Sequence, residues 1–86
     1  MNDLELKAIN ERCEKATLGP WISYIEGRDH TSGSSFIRTS KDDIELNGAT
    51  DNDQDFIASA RQDVPLLISE IYRLRKILDE NNINYL

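Results

Sequence analysis

The chain has little of what marks secreted, metal-binding or membrane proteins. It contains one cysteine and one histidine, and no apolar run approaches the roughly 20 residues of a membrane span. Cys13 alone cannot form an internal disulfide, and small secreted domains usually carry several, which favours a reducing compartment. The first residues also lack the basic start and apolar core of a signal peptide. We therefore predict a cytoplasmic protein without a membrane partner.

Basic residues are scarce as well. Ten Lys and Arg stand against sixteen Asp and Glu, which gives a net charge of −6. Proteins bind a phosphate backbone largely through Lys and Arg, so this balance disfavours nucleic acid as a partner. An acidic surface of this kind is compatible with a decoy for a basic protein groove, but it is also common among ordinary soluble domains.

The residues with catalytic or metal-binding potential lack the partners that such chemistry requires. His30 has no second His or Cys at metal-ligand spacing, and a general base would also need a positioned nucleophile. Cys13 falls on the apolar side of a predicted helix, which assigns it to the core. The acidic run at residues 51–55 begins like a calcium loop, but Phe56 stands where that loop needs glycine. We predict no metal, no cofactor and no enzymatic activity.

Apolar residues recur at helical spacing near the start of the chain. They predict an amphipathic helix over residues 3–17, with Asn2 or Asp3 as its N-cap. Gly19, in the left-handed conformation, and Pro20 are expected to end it. Its apolar stripe comprises Leu6, Ile9, Cys13 and Ala16.

The middle of the chain has the composition of a small sheet. Aromatic and β-branched residues cluster in three short segments, which polar, glycine-containing turns separate. The predicted strands cover residues 21–26, 35–39 and 43–47 and form an antiparallel meander.

The apolar spacing returns to that of a helix after residue 50. Asp51 with Gln54 fits a capping box and predicts a short helix that ends near residue 61. Asp63 is expected to cap a second helix, whose first turn tolerates Pro65, and whether the two helices are continuous stays open. The predicted fold class is therefore α+β: an N-terminal helix, a short antiparallel three-stranded β-meander, and a short helix followed by a longer C-terminal helix. At 86 residues we expect one domain, residues 1–86.

The predicted C-terminal helix carries two apolar strips. One is a heptad-like seam, which is expected to pack on the meander or against a second copy of the chain. The seam consists of Val64, Leu67, Ile71, Leu74 and Leu78. Leu66 and Ile77 point away from it and form the second strip. Because a homo-oligomer would cover both strips, the predicted interface comprises Leu66, Leu74, Ile77 and Leu78.

Three arginines and two aromatic residues suggest a ligand site. Arginine pairs well with phosphate, and an aromatic ring offers a stacking surface for a base. The predicted ligand-binding residues are Trp21, Tyr24, Arg28, Arg38 and Arg61. The alternative is that the arginines are simply exposed and that Trp21 anchors the core behind the turn at Gly19 and Pro20.

Two segments resemble a family of phage proteins. Residues 16–21 (ATLGPW) and residues 53–67 (DQDFIASARQDVPLL) are similar to small phage and prophage proteins of the Ead-like family, which have an Ala-Thr-Pro-Gly-Pro-Trp turn and an Asp-Val-Pro-Leu-Leu helix. Leu18 stands where that family has its first proline, and residues 22–50 carry no resemblance. The resemblance implies phage origin and action in a host cell. It implies no catalytic residues.

Two functional hypotheses follow. The first is a non-enzymatic, phage-derived binding protein that blocks or decoys a host defence or regulatory factor, acting as a small oligomer. The alternative is a protein that sequesters a small phosphorylated ligand, such as a nucleotide second messenger. A role in phage assembly rather than counter-defence also stays open.

Overall fold

The computed structural model describes residues 1–84 of the chain. The elements follow in the order α1 (Asp3–Lys15), β1 (Ile22–Tyr24), β2 (Phe36–Arg38), β3 (Asp43–Ile44) and α2 (Asp51–Glu80). This order confirms the predicted α+β class. The described chain divides into two compact units, one of residues 17–62 and one that combines residues 1–16 with residues 63–84.

Helix α1 begins with a complete capping box. The Asn2 side chain accepts from the Glu5 N–H at 2.8 Å, and the Glu5 carboxylate accepts from the Asn2 N–H at 3.1 Å. Two backbone donors that the helix itself cannot satisfy are thereby bonded. Asn2, one of the two predicted candidates, is therefore the N-cap.

The end of α1 differs from the prediction. The backbone becomes extended at Ala16 (φ −68°, ψ 155°), so the helix stops at Lys15. Gly19 does not adopt the left-handed conformation, which in this chain is found at Gly27, Gly33 and Gly48 among the glycines. The prediction of a glycine-terminated helix was wrong because the chain had already left the helix three residues earlier.

Gly19 lies close to a side chain of α2. A Cβ atom at this position would lie 3.2 Å from Oε1 of Gln62, closer than ordinary van der Waals contact. That same Oε1 accepts the Trp21 N–H at 2.7 Å, and the Gln62 Nε2 donates to the Trp21 carbonyl at 3.1 Å. Gln62 thus pairs with the backbone of Trp21 as a neighbouring strand would. A side chain at residue 19 would therefore push Gln62 Oε1 away by a few tenths of an ångström and disturb its hydrogen bond to Trp21.

The predicted meander is present, with shorter strands. The sheet order is β1-β2-β3, both pairs are antiparallel, and Ile37 pairs with Ser23 on one side and Ile44 on the other. Ile37 is fully buried. The first strand ends early because the Asp29 carboxylate accepts the Ile25 N–H at 2.8 Å, and the Ile25 carbonyl accepts from the N–H of Arg28 and Asp29. These local bonds turn the chain away from the sheet.

Helix α2 is one continuous helix from Asp51 to Glu80, with Pro65 inside it. The predicted end near residue 61 and the predicted N-cap at Asp63 were therefore wrong. A proline within a helix removes one hydrogen bond and costs about 3 kcal/mol. The helix continues nevertheless, because packing of an apolar face outweighs one lost bond over this length.

The N-terminus of α2 is capped by a different pair from the one predicted. Thr50 and Asp53 form the reciprocal bonds: the Asp53 N–H donates to Thr50 Oγ1 and the Thr50 N–H donates to Asp53 Oδ2, both at 3.1 Å. Gln54, the expected partner of Asp51, points elsewhere. Gln54 is 3% exposed, and it is the one polar residue classed as buried among residues 1–84.

The Gln54 amide connects α2 to the sheet. Its Nε2 lies 3.0 Å from Ser23 Oγ, 3.3 Å from the Tyr24 carbonyl and 3.0 Å from the Phe36 carbonyl. Its two protons are therefore shared among three acceptors on β1 and β2. The apolar side chains buried in this unit are Ile25, Ile37 and Ala58.

The other unit has its own buried side chains. Leu6 of α1 and Ile68 of α2 are almost completely buried, and Ile9, Cys13 and Ala16 are partly buried, as the apolar stripe predicted. An ion pair adds to this packing. Arg75 donates to the Asp3 carboxylate at 2.7 Å and to the Met1 carbonyl at 2.6 Å, which holds the start of α1 beside the second half of α2.

Replacing the Gln54 amide by a carboxylate should destabilise the protein strongly. In Gln54→Glu the side chain keeps its shape but loses its donors at pH 7, so an ionised group faces two carbonyl oxygens. We expect the free energy of unfolding, measured with urea, to fall by about 3 kcal/mol. The same amide-to-carboxylate change at the exposed Asn52 is the control and should leave stability nearly unchanged. An equal effect at both positions would contradict this account of Gln54.

Candidate functional site

The structure brings the predicted ligand-binding residues together in pairs but does not assemble all five into one site. Arg38 stacks on aromatic rings: its guanidinium carbon lies 5.3 Å from the ring centroids of both Tyr24 and Phe36. Its Nε also lies 3.3 Å from the Asp43 carboxylate on the adjacent strand. The Arg38 charge is thus partly satisfied by rings and a carboxylate of its own sheet.

Arg28 is held by two carboxylates. Its Nη1 and Nη2 donate to the two oxygens of Asp55 at 2.8 and 3.0 Å, a bidentate pair, while Nε and Nη2 contact Asp29. The bonds to Asp55 and then Asp29 raise the Arg28 pKa above its usual value. The hydrogen bond from Arg28 lowers the pKa of Asp55 from the usual 3.8 to about 2. The same arginine, followed by the Ile25 N–H, also lowers the pKa of Asp29. A phosphate at Arg28 would have to displace these carboxylates.

Arg61 has a structural partner. Its Nε donates to the Thr17 carbonyl at 2.9 Å, and the Trp21 indole Nε1–H donates to the same oxygen at 3.0 Å. Both side chains therefore hold the segment that precedes β1. The alternative reading of Trp21, an anchor behind the Gly19 turn, agrees with this geometry.

An open groove of about 530 Å³ receives two of the five predicted ligand residues, Trp21 and Arg28. Tyr24, Arg38 and Arg61 do not line it. The complete lining is Pro20, Trp21, Ile22, Ser23, Arg28, Asp55, Ala58, Ser59 and Gln62.

His30 is surrounded by polar groups that all approach one ring nitrogen. Nδ1 lies 2.7 Å from Ser32 Oγ and 3.3 Å from a Glu26 carboxylate oxygen. Nε2 is buried and has no hydrogen-bond partner within residues 1–84. A relay of the serine-protease type needs the hydroxyl and the carboxylate on opposite nitrogens. This arrangement does not provide that geometry. Nor do the described residues contain a group of three or more His, Cys, Asp or Glu that could hold a metal ion.

A second groove, which sequence reasoning missed, lies beside the start of α2. It measures about 350 Å³ and is open and largely apolar. Phe56 on its wall is 75% exposed, and Ile57 is exposed as well. Its lining is Leu46, Asn47, Gly48, Ala49, Asp53, Phe56 and Ile57. The available signal was the adjacent pair of large apolar residues, because neighbours on a helix point about 100° apart and cannot both lie at the centre of one buried face.

The predicted interface residues fall on two sides of α2. Leu66, Leu74 and Ile77 are exposed, at 68%, 45% and 41%, whereas Leu78 is partly buried. Leu67, which the predicted seam included, is 62% exposed. We call the set Leu66, Leu67, Leu74 and Ile77 the α2 outer face.

Comparison with known proteins found no relative. No protein-family model matches the chain, and neither the curated proteins nor the solved structures that were compared include a match. The resemblance to the Ead-like family therefore stays a prediction from two segments. Neither helix, within residues 1–84, carries an apolar stretch long enough to cross a membrane.

The Arg28 pair predicts a pH dependence of stability. Because the folded-state pKa of Asp55 is depressed, its ion pair contributes stability above pH 3.8, and this contribution is lost as the pH falls through about 2. The stability difference between wild type and Asp55→Asn should therefore be constant near neutral pH, shrink below pH 3.8 and approach zero only below about pH 2. Urea unfolding across this range measures it. In Arg28→Gln the Asp55 carboxyl, followed by NMR, should titrate closer to 3.8. An unchanged midpoint would rule out Arg28 as the cause.

Proposed function

We propose that this chain is a non-enzymatic binding protein of phage origin that occupies a basic surface of a host protein, a defence or regulatory factor, and thereby blocks it. The observation that carries the proposal is the apolar groove at Leu46, Phe56 and Ile57. The phage and host parts rest on the resemblance of residues 16–21 and 53–67 to the Ead-like family.

Phe56 has the properties of a binding residue. A phenylalanine that is 75% exposed leaves a large apolar area in water, which burial against a partner would remove. It stands on a regular helix just after the Thr50 and Asp53 capping box, so its backbone is held in place before any partner arrives. Aromatic side chains on rigid elements lose little conformational freedom on binding and often dominate the binding energy.

The negative charge around the groove indicates a partner with a basic surface. Residues 42–60 carry six carboxylates and no Lys or Arg, so the net charge of this segment is −6. The net charge of the whole chain is also −6. Asp43 and Asp55 pair with arginines of the same unit. Among the ion pairs of the described residues, the other four carboxylates do not take part: Asp42, Glu45, Asp51 and Asp53. A matching surface would present an apolar side chain among Lys and Arg.

Photo-crosslinking from the groove tests this function. A benzoylphenylalanine at position 56, in protein produced in host cells, should form one discrete crosslink to a host protein. The same group at the exposed Ser40 should not. With the partner purified, Phe56→Ser should weaken binding while changing the free energy of unfolding by less than about 0.5 kcal/mol. Asp51→Lys should weaken binding and reduce its salt dependence. A partner that binds Phe56→Ser as tightly as wild type would refute the proposal.

A second candidate function is the sequestration of a small phosphorylated ligand. The groove at Trp21 and Arg28 favours it, because about 530 Å³ lies within the usual range of small-molecule sites. The geometry supports this function less than protein binding, since Asp55 and Asp29 already occupy the Arg28 guanidinium.

A thermal-shift series with nucleotides distinguishes the two functions. If Arg28 exchanges its carboxylates for a phosphate, the melting temperature should rise with ligand concentration, and Arg28→Gln should abolish the rise. Arg12→Gln, at an exposed position on α1, is the matched control. Absence of any rise at millimolar nucleotide would eliminate this second candidate.

A further inference from the structure

The α2 outer face is an apolar surface with a charged pair at its middle. Its four side chains lie within about 100° of arc around the helix. They are 41% to 68% exposed, and they follow Pro65, so the proline does not interrupt them. Glu70 and Arg73 lie between the two ends of this face. The Arg73 Nε donates to Glu70 at 2.9 Å, and a second bond joins Arg73 Nη2 to the other carboxylate oxygen.

The order of residues along this face is nearly unchanged when the helix is reversed. Leu66 and Ile77 stand at similar distances on either side of Ile71, and so do Leu67 and Leu74. The same reversal exchanges Glu70 with Arg73. In an isologous interface, residue i of one copy contacts residue j of the other, and residue j contacts residue i. The two ends of this face can therefore contact each other in a symmetric pair.

We propose that the α2 outer face binds a second copy of this chain with the two helices antiparallel. Leu66 packs against Ile77 of the other copy, and Leu67 against Leu74. Near the two-fold axis, Glu70 of each copy faces Arg73 of the other. The two carboxylates and two guanidinium groups form a neutral cluster between two apolar layers. Each charged side chain in the interface therefore has an opposite charge beside it.

Charge selects the antiparallel arrangement over the parallel one. Parallel helices in register would place Glu70 against Glu70 and Arg73 against Arg73, and like charges across an interface are unfavourable. The reversed arrangement turns both contacts into attractive ones.

Charge also distinguishes this surface from the Phe56 groove. The outer face itself is neutral, since one carboxylate and one guanidinium lie on it, whereas each copy of the chain carries −6. Two acidic copies repel each other over a distance, and salt screens that repulsion. Self-association should therefore strengthen with added salt. Binding of a basic partner at the groove should weaken, so the two interactions respond oppositely.

The interface is short, which sets the expected strength. The face covers about three helical turns, and a stable standard interface buries roughly 800 Å² on each partner. A contact of three turns falls below that area. We therefore expect a dimer that dissociates in the micromolar range.

Charge reversal in two separate variants tests the pairing between copies. Glu70→Arg leaves two positive charges on the face and Arg73→Glu leaves two negative ones. In sedimentation equilibrium each variant alone should self-associate roughly tenfold more weakly than wild type or worse. An equimolar mixture of the two should recover the dimer, because the faces are then complementary. Altered monomer stability cannot produce this recovery, since it requires both variants together.

Disulfide trapping tests the antiparallel register. In a Cys13→Ser background, Leu67→Cys and Leu74→Cys mixed under mild oxidation should give mainly the mixed disulfide, and each alone should give little. Lys76→Cys, at an exposed position outside the face, should not crosslink to Leu67→Cys. Self-crosslinking of each variant alone would overturn the antiparallel arrangement.

Wild type that remains monomeric at several hundred micromolar in high salt would overturn self-pairing altogether. The Phe56→Ser variant separates this inference from the proposed function: it should dimerise as wild type does while losing the host partner.

Discussion

The amide of Gln54 is the contact on which the unit of residues 17–62 depends. Its Nε2 is shared among Ser23 Oγ, the Tyr24 carbonyl and the Phe36 carbonyl, so one buried side chain joins the start of α2 to two strands. The strands have only two or three residues each and bury few large side chains. A sheet this small depends on being held by a helix. Loss of the amide removes the side-chain donor from both carbonyls.

Gln62, two turns further along α2, also joins the helix to a distant segment through its side-chain amide. It exchanges two hydrogen bonds with the backbone of Trp21, and its Oε1 lies close to Gly19. Arg61 and the Trp21 indole complete the attachment at the Thr17 carbonyl. The polar groups of this helix face are therefore occupied in holding the fold. The same occupation explains why the arginines are poorly placed to receive a free phosphate.

Beside the groove at Trp21 and Arg28, two apolar surfaces remain, the groove at Phe56 and the α2 outer face. The groove at Phe56 lies in an acidic segment, whereas the α2 outer face carries one carboxylate and one guanidinium. The proposed block of a basic host surface and the proposed pairing of two copies would therefore use different surfaces.

Local sequence signals determined the order of the elements. The spacing of Leu6, Ile9 and Cys13 predicted α1, and alternating apolar residues predicted a three-stranded meander, because both patterns depend on neighbours along the chain. Leu66 and Ile77 of the predicted second strip are exposed, and so are Leu67 and Leu74 of the predicted seam. The helix that runs through Pro65 was not predicted, since a local rule about proline cannot weigh the packing on either side of it.

The sequence by itself therefore determined the fold class, since helical spacing and strand alternation depend on neighbours along the chain. It did not determine which apolar residues of α2 are exposed, because Leu67 of the predicted seam is exposed and Leu78 of the predicted interface is partly buried. Only the tertiary structure decided what the polar side chains do. Gln54 has the sequence context of a capping residue, yet it is buried under the sheet, and Thr50 with Asp53 caps the helix instead. Arg28 was expected to be available for a ligand, yet it is paired with Asp55, a residue 27 positions away. These hydrogen-bond and ion-pair partners come from contacts between distant segments, and residue spacing along the chain does not predict them.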